Sequence, residues 1–174
     1  AVVIGGGFIG LEMAENLIRL GVKTTIVQRG EHLLPTVDCD MASLIHAIFR
    51  SRGVQLLLNS SAEKMSVTGD KVLLELTDGG QISADMAVIS VGVVPENTLA
   101  KKAGLELGVK GAIKVNSKME TSVPDIYAVG DAVQVKHFIT EQDVLISLAG
   151  PANKQGRIAA DNICGGDSRY LGSQ

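Results

Sequence analysis

Ala1-Val2-Val3-Ile4-Gly5-Gly6-Gly7-Phe8-Ile9-Gly10-Leu11-Glu12-Met13-Ala14 decides the fold. Ala1 to Ile4 is an unbroken apolar run, too short for a helix and bounded by glycine, which is the pattern of a parallel strand covered on both faces. From Phe8 to Leu20 the apolar residues Leu11, Ala14, Leu17 and Ile18 recur at helical spacing, and Gly21 follows where a left-handed terminator belongs. Thr24 to Val27 then predicts a second buried strand, so the stretch is a strand-helix-strand unit with a right-handed crossover. Between strand and helix, Gly5 to Gly10 fits the GxGxxG pattern, and this context lifts the motif above its background rate. Gly5 permits the tight turn, Gly7 lets the backbone approach a pyrophosphate, and Gly10 allows the helix to pack closely on the strand. No Ser, Thr or Asp caps this helix, which leaves its first N–H groups and its dipole for an anionic ligand. The plainer reading is a glycine-rich turn that binds nothing.

Outward from this unit, a second helix is predicted from Met41 to Arg52, with Asp40 as N-cap, Leu44, Ile45, Ile48 and Phe49 on one face and Gly53 beyond its end. Val54 to Asn59 reads as a third strand. Glu63 to Val67, Lys71 to Leu76 and Gln81 to Ser83 follow as a small antiparallel meander divided by Thr68-Gly69-Asp70 and Asp78-Gly79-Gly80. Asp85 to Val91 returns to the parallel sheet and stops at Gly92, which joins the expected ligand-contacting residues. The first domain therefore covers residues 1–94. In residues 95–174, Asn97 caps a short helix to Ala103, strands are expected at Ile113 to Val115 and Ile126 to Val129, and a helix runs from Pro151 to Cys164. Two short strands and one long helix cannot enclose a core, so this region is expected to be the remainder of a second domain.

Composition narrows the function. Hydrophobic residues make up 45% and charged residues 20%, a globular balance. A net charge of −3 leaves no basic face for a polyanion, and the chain has no Trp and only three Phe and two Tyr to stack on bases, so nucleic acid is excluded as a partner and the ligand should be small. No apolar run approaches the roughly 20 residues needed to cross a bilayer and no signal-peptide pattern opens the chain, which leads to the expectation of a cytoplasmic protein with no membrane partner. The first residue already lies in a strand pattern without an initiator Met, so a preceding segment is expected. Cys39 and Cys164 belong to no metal or disulfide pattern and are expected to be buried small apolar residues. His32, His46 and His137 fall in no catalytic or metal-binding pattern and are expected to be structural or superficial; no metal site and no catalytic residue is predicted.

Two further places carry chemistry. At the end of the second strand, where an acidic residue ordinarily accepts from an adenosine ribose, the chain has Gln28 and Arg29. Gln bonds a 2′-hydroxyl without repelling a 2′-phosphate, and Arg can pair with that phosphate, so the choice between NAD and NADP stays open; the alternative for Arg29 is a solvated turn residue. In Thr121-Ser122-Val123-Pro124-Asp125-Ile126-Tyr127-Ala128-Val129-Gly130-Asp131, Gly130 admits a ligand close to the backbone and Asp131 can accept from a sugar or ribityl hydroxyl.

With these motifs in view, the chain resembles the central and following segments of the pyridine nucleotide-disulfide oxidoreductases over nearly its whole length. GGGFIGLEMAE, VGVVPE, TSVPDIYAVGD and LAGPANKQGRIAADNI are most similar to the coenzyme A-disulfide reductase and NADH oxidase branch. The resemblance implies an α/β, Rossmann-like FAD/NAD(P)-binding three-layer fold with a parallel sheet and a small antiparallel meander, followed by part of a second similar domain. It implies that residues 1–94 bind NAD(P)H and that residues 95–174 are the C-terminal portion of an FAD-binding domain. Gly5, Gly7 and Gly10 would then hold the nicotinamide dinucleotide, Phe8 and Ile9 would line its site, and Glu12 would lie near nicotinamide and flavin, its alternative being a helix-surface carboxylate. Asp131 would bond the FAD ribityl chain, with Ala149 near the flavin ring.

The resemblance further implies a full-length parent that uses NAD(P)H and FAD, works as a homodimer and passes electrons through an upstream cysteine to a disulfide, a persulfide or O2. The earlier FAD glycine motif, the redox cysteine and the later dimerisation domain of the family have no counterpart in this stretch. The fragment is therefore expected to bind coenzyme without turnover and to be able to stand as a monomer. Gln28 replaces the acid of NAD-selective members and Val94 stands where relatives often carry Arg. Two alternatives stand beside this reading. A self-sufficient dehydrogenase would need a proton-transfer pair beside the dinucleotide, and none is found; a stand-alone nicotinamide-nucleotide-sensing module without catalysis remains.

Overall fold

The computed structural model describes residues 1–173. The chain divides into two compact units, Ala1–Gly92 and Val93–Gln174. In the first unit the elements are β1 (Val2–Ile4), α1 (Phe8–Arg19), β2 (Thr25–Val27), α2 (Cys39–Ser51), β3 (Gln55–Leu57), β4 (Ala62–Thr68), β5 (Lys71–Leu76), β6 (Gln81–Ala84) and β7 (Ala87–Ile89). Four of the strands form a wholly parallel sheet in the order β3-β2-β1-β7, so β1 lies where the chain's winding reverses direction. Strands β4, β5 and β6 form a separate antiparallel meander.

Alternation along the short strands builds three layers. Val3 and Ile26 join Leu11, Ala14 and Leu17 of α1 in one core, while Val2, Ile4 and Val27 meet Leu74, Leu76 and Ala84 of the meander in another. Val2 and Val3 are both fully buried, each side chain contributing about 1.5–3 kcal/mol of apolar burial, so an Asp at either position would strand a charge inside the sheet. The result is the Rossmann-like three-layer fold, with the meander as one outer layer.

Helix α2 corrects two expectations. It begins at Cys39 with Asp38 as the residue before it and no side-chain cap; Asp40 folds onto its own neighbour, accepting from the Met41 N–H at 2.9 Å. Its inward face is also rotated. Ala42 and His46 are buried and Ile45 and Phe49 pack on the core, whereas Leu44 and Ile48 are exposed. The cause is His46, whose Nε2 accepts the Leu33 N–H at 3.0 Å and so turns a polar residue inward. The two cysteines are corrected as well. Both Cys39 and Cys164 are exposed, one in the first turn of α2 and the other after the last helix.

The second unit holds α3 (Thr98–Lys102), β8 (Ile113–Lys114), β9 (Val133–Lys136), β10 (Asp143–Val144) and α4 (Ala149–Ile163). Strand β9 pairs parallel with β8 and antiparallel with β10. Ile126 to Val129 is not a strand: Tyr127 makes one isolated bridge to Glu120, and the Ala128 N–H donates to the Met119 carbonyl at 3.0 Å. The expectation that this region lacks a core is also overturned. Ile113, Met119, Val133, Val135, Ile158 and Tyr170 enclose one, with β9, absent from the sequence reading, supplying two of its members. Among the described residues no helix is long and apolar enough to cross a membrane.

Candidate nucleotide-binding site

The carboxyl ends of β1, β2 and β7 open onto a cleft of about 620 Å³ in the first unit. In open α/β sheets ligands bind at such a switch point, in the crevice outside the carboxyl ends of the strands. Gly5, Gly7, Gln28, Arg29 and Gly92 of the expected residues line it.

The glycines divide by physical cause. Gly5 has φ +104°, and a Cβ on it would run into the Ser90 carbonyl oxygen. A Cβ on Gly10 would run into the carbonyl oxygen of Gly5, so this glycine permits the close approach of α1 to the end of β1. Gly7 differs from both, because a Cβ there would meet nothing within 4 Å. Protein packing explains Gly5 and Gly10; the open face of Gly7 is what a ligand approaching the backbone requires. Gly7 is the N-cap of α1 and no side chain caps the helix, so the positive end of its dipole is left for an anion.

Sequence reasoning missed the residues that hold this turn. Ser90 Oγ donates to the Ile4 carbonyl at 2.9 Å and to the Gly5 carbonyl at 3.1 Å. From the other side, Gln28 Oε1 accepts the Gly6 N–H at 2.9 Å, and its Nε2 donates to the His32 carbonyl at 3.3 Å. The segment after Arg29 forms one wall, anchored where the Leu34 N–H donates to the Gly6 carbonyl at 2.8 Å and where His46 receives the Leu33 N–H. Burial, then the nearby Arg50 and His32, hold His46 below its ordinary pKa and keep it the neutral acceptor that this bond needs. Ser60 also lines the cleft. Its buried Oγ is without a hydrogen-bond partner among the described residues.

The remaining expected residues lie elsewhere. Phe8 and Ile9, 51% and 53% exposed, stand on the first turn of α1 outside the cleft lining, and Glu12 is exposed on the next turn. In the second unit Gly130 has φ +80° and starts a tight turn, and its N–H donates to Oε1 of the fully buried Gln155 of α4 at 2.7 Å. A Cβ on Gly130 would come within 3.8 Å of Ala152, in the first turn of the helix that Ala149 begins. Asp131 is exposed and forms no hydrogen bond or ion pair among the described residues, so its carboxylate is available to hydroxyl donors. Among the described residues no cluster of His, Cys, Asp or Glu could hold a metal ion.

A family model described as pyridine nucleotide-disulphide oxidoreductase matches residues 1–156. The chain belongs to this family. Among its fellow members, the NADH oxidase of Methanocaldococcus jannaschii is 40% identical over 97% of the chain and 37% of its own length. The reduced Bacillus anthracis CoADR-RHD crystal structure superposes with a TM-score of 0.93 at 46% identity, over 99% of this chain and 31% of that one. An engineered water-forming NADPH oxidase bound to NADPH, made from the Lactobacillus brevis NADH oxidase, superposes with a TM-score of 0.91 at 29% identity, over 99% of this chain and 38% of that one. The chain thus spans 37% of the length of the curated M. jannaschii relative.

Proposed function

We propose that this chain is the NAD(P)H-binding portion of an FAD-dependent oxidoreductase, with residues 1–94 binding the nicotinamide dinucleotide and residues 95–174 contributing the C-terminal portion of an FAD site. The observation that carries the reading is the open face of Gly7 at an uncapped helix terminus, inside a cleft at the sheet's switch point. Gly5 and Gly10 shape the turn, the N-terminal amides of α1 face the coenzyme's diphosphate, and Gln28 and Arg29 stand at its adenosine end. Phe8, Ile9 and Glu12 would serve the nicotinamide end from the exposed first turns of α1. In the second unit Gly130 lets a flavin nucleotide approach the backbone, and Asp131 accepts from its ribityl hydroxyls beside the start of α4 at Ala149.

The bound cofactors supply the chemistry, a hydride leaving NAD(P)H for FAD and electrons passing on to a disulfide, a persulfide or O2. Protein groups supply binding and orientation. The names of the relatives support this range of acceptors: one is an NADH oxidase, another an NAD-dependent persulfide reductase, and the family is named for disulphide chemistry. Cys39 and Cys164 do not line the cleft, so the 174 residues alone are proposed to bind coenzyme without turnover.

Gly7→Val tests the reading. A Cβ at Gly7 meets no protein atom, so the cost to thermal stability should not exceed about 1 kcal/mol, that of losing a favourable N-cap residue, while NADH affinity measured by calorimetry should fall at least about tenfold because the space for the diphosphate is filled. Undiminished binding in this variant would sink the assignment.

A further inference from the structure

Gln28 occupies the position at which a dinucleotide fold reads the adenosine ribose, yet both ends of its amide are engaged. Oε1 accepts the Gly6 N–H and Nε2 donates to the His32 carbonyl, so the side chain bridges the glycine turn to the wall segment beyond Arg29. Its main chain is fixed too, the N–H donating to the Leu57 carbonyl at 2.8 Å and the carbonyl accepting the Ser60 N–H at 3.1 Å. Reaching a ribose would mean releasing the turn that holds the diphosphate.

Arg29, the next residue, lines the same cleft and is exposed, with no ion pair or hydrogen bond among the described residues. The other charged residues on the lining are Glu63 and Lys64, the latter 3.7 Å from Glu75 across the meander. No carboxylate occupies the position after β2 that would repel a 2′-phosphate.

The engineered NADPH oxidase provides an independent comparison. Its name records an aspartate changed to alanine, the following residue changed to arginine, the next, a methionine, changed to serine, a glycine changed eighteen residues before that aspartate and a proline changed seven residues after it. Gly10, Gln28, Arg29, Gly30 and Pro35 have the same spacing here, and Gly30 matches neither form. At two of these positions this chain already resembles the NADPH form, an uncharged residue where the aspartate was and an arginine beside it; at Gly10 and Pro35 it keeps the residues of the NADH form.

Resting on the proposed coenzyme site, we infer that Gln28 is a positioning residue that locks the glycine turn, and that Arg29 takes the 2′-phosphate of NADPH, so that this cleft binds NADPH at least as tightly as NADH.

The test is calorimetric titration of the 174-residue chain and three variants with NADPH and with NADH. Arg29→Ala, an exposed change that leaves folding intact, should weaken NADPH about tenfold, the scale of one charge-assisted phosphate contact, and leave NADH within about twofold. Gln28→Ala should weaken both coenzymes by the same factor, since the diphosphate is common to them, and should speed hydrogen exchange at the Gly6 amide of the free chain. Gln28→Glu keeps an acceptor for Gly6 but adds a charge, and should retain NADH while losing NADPH at least about tenfold. Tenfold preference of the unmodified chain for NADH, or Arg29→Ala acting on both coenzymes alike, overturns the inference while leaving the proposed site intact. Loss confined to one coenzyme in Gln28→Ala makes Gln28 a reader and overturns the lock. Binding of neither coenzyme overturns both this inference and the proposed function.

Discussion

Gly5 and Ser60 line the same cleft and should respond oppositely to alanine. Gly5 holds φ +104° with the Ser90 carbonyl where its Cβ would go, so Gly5→Ala should destabilise the first unit by at least about 1–3 kcal/mol, read as a fall in the urea midpoint. Ser60 carries a buried hydroxyl without a partner among the described residues, whose desolvation costs about 1–3 kcal/mol; Ser60→Ala should therefore leave the midpoint unchanged or raise it. If the same variant also weakens NAD(P)H binding, the hydroxyl faces the ligand. The two residues were unequally legible. The glycine turn is written locally, its residues adjacent and flanked by strand and helix patterns, and could be read directly. Ser90, Ser60 and Gln155 act through partners far along the chain, Ser90 on the carbonyls of Ile4 and Gly5 and Gln155 on the Gly130 amide, and no local pattern marks a serine or glutamine for such a task.

Helix α2 shows at the next scale what pattern reading misses. Its Leu and Ile spacing is helical, but the inward face is set by His46 accepting the Leu33 N–H, a contact that periodicity cannot express. That contact gives the element a pH dependence. His46 has its pKa lowered from 6.5 by burial and by Arg50 and His32, so the unfolded chain takes up the proton more readily than the folded one. Its contribution is complete above about pH 6.5 and is lost as pH falls through the lowered value. Urea unfolding should therefore show a decline in stability below that pH, and His46→Gln, which keeps an acceptor but cannot titrate, should remove this part of the decline. Asp85, Glu96 and Asp167, held low chiefly by Lys71, by Thr98 and by Lys118, lose their contributions only as pH falls below the ordinary carboxylate range. The meander was read well because alternation and turn chemistry agree, Asp78 accepting from the Gly80 N–H at 2.9 Å in the second turn. Strand β8 was read from its apolar residues, whereas β10, two residues long, is too short for any periodicity, and Ile126 to Val129 has the composition of a strand but makes only one bridge among the described residues.

For the whole molecule, each unit owns a hydrophobic core and the division falls between Gly92 and Val93. Val91, Val93 and Val94 are 73%, 52% and 85% exposed there. Brief digestion with elastase, which cuts after small apolar residues, should nick this segment first and yield two persistent products by mass spectrometry; earlier cleavage within β1 or α4 would contradict two self-sufficient cores. Family membership was legible at this scale from four separated motifs. The core of the second unit was not, since it is assembled from Ile113, Met119, Val133 and Tyr170, residues scattered through irregular chain. The glycine turn has one more consequence. It is gripped by Gln28 on one flank and by Ser90, just past β7, on the other. During synthesis the turn therefore precedes its second clamp by 85 residues, and that flank is secured only once Ser90 has been added. The Ser90 contact is accordingly among the last in the first unit to form, and its presence reports that the parallel sheet has closed on β7.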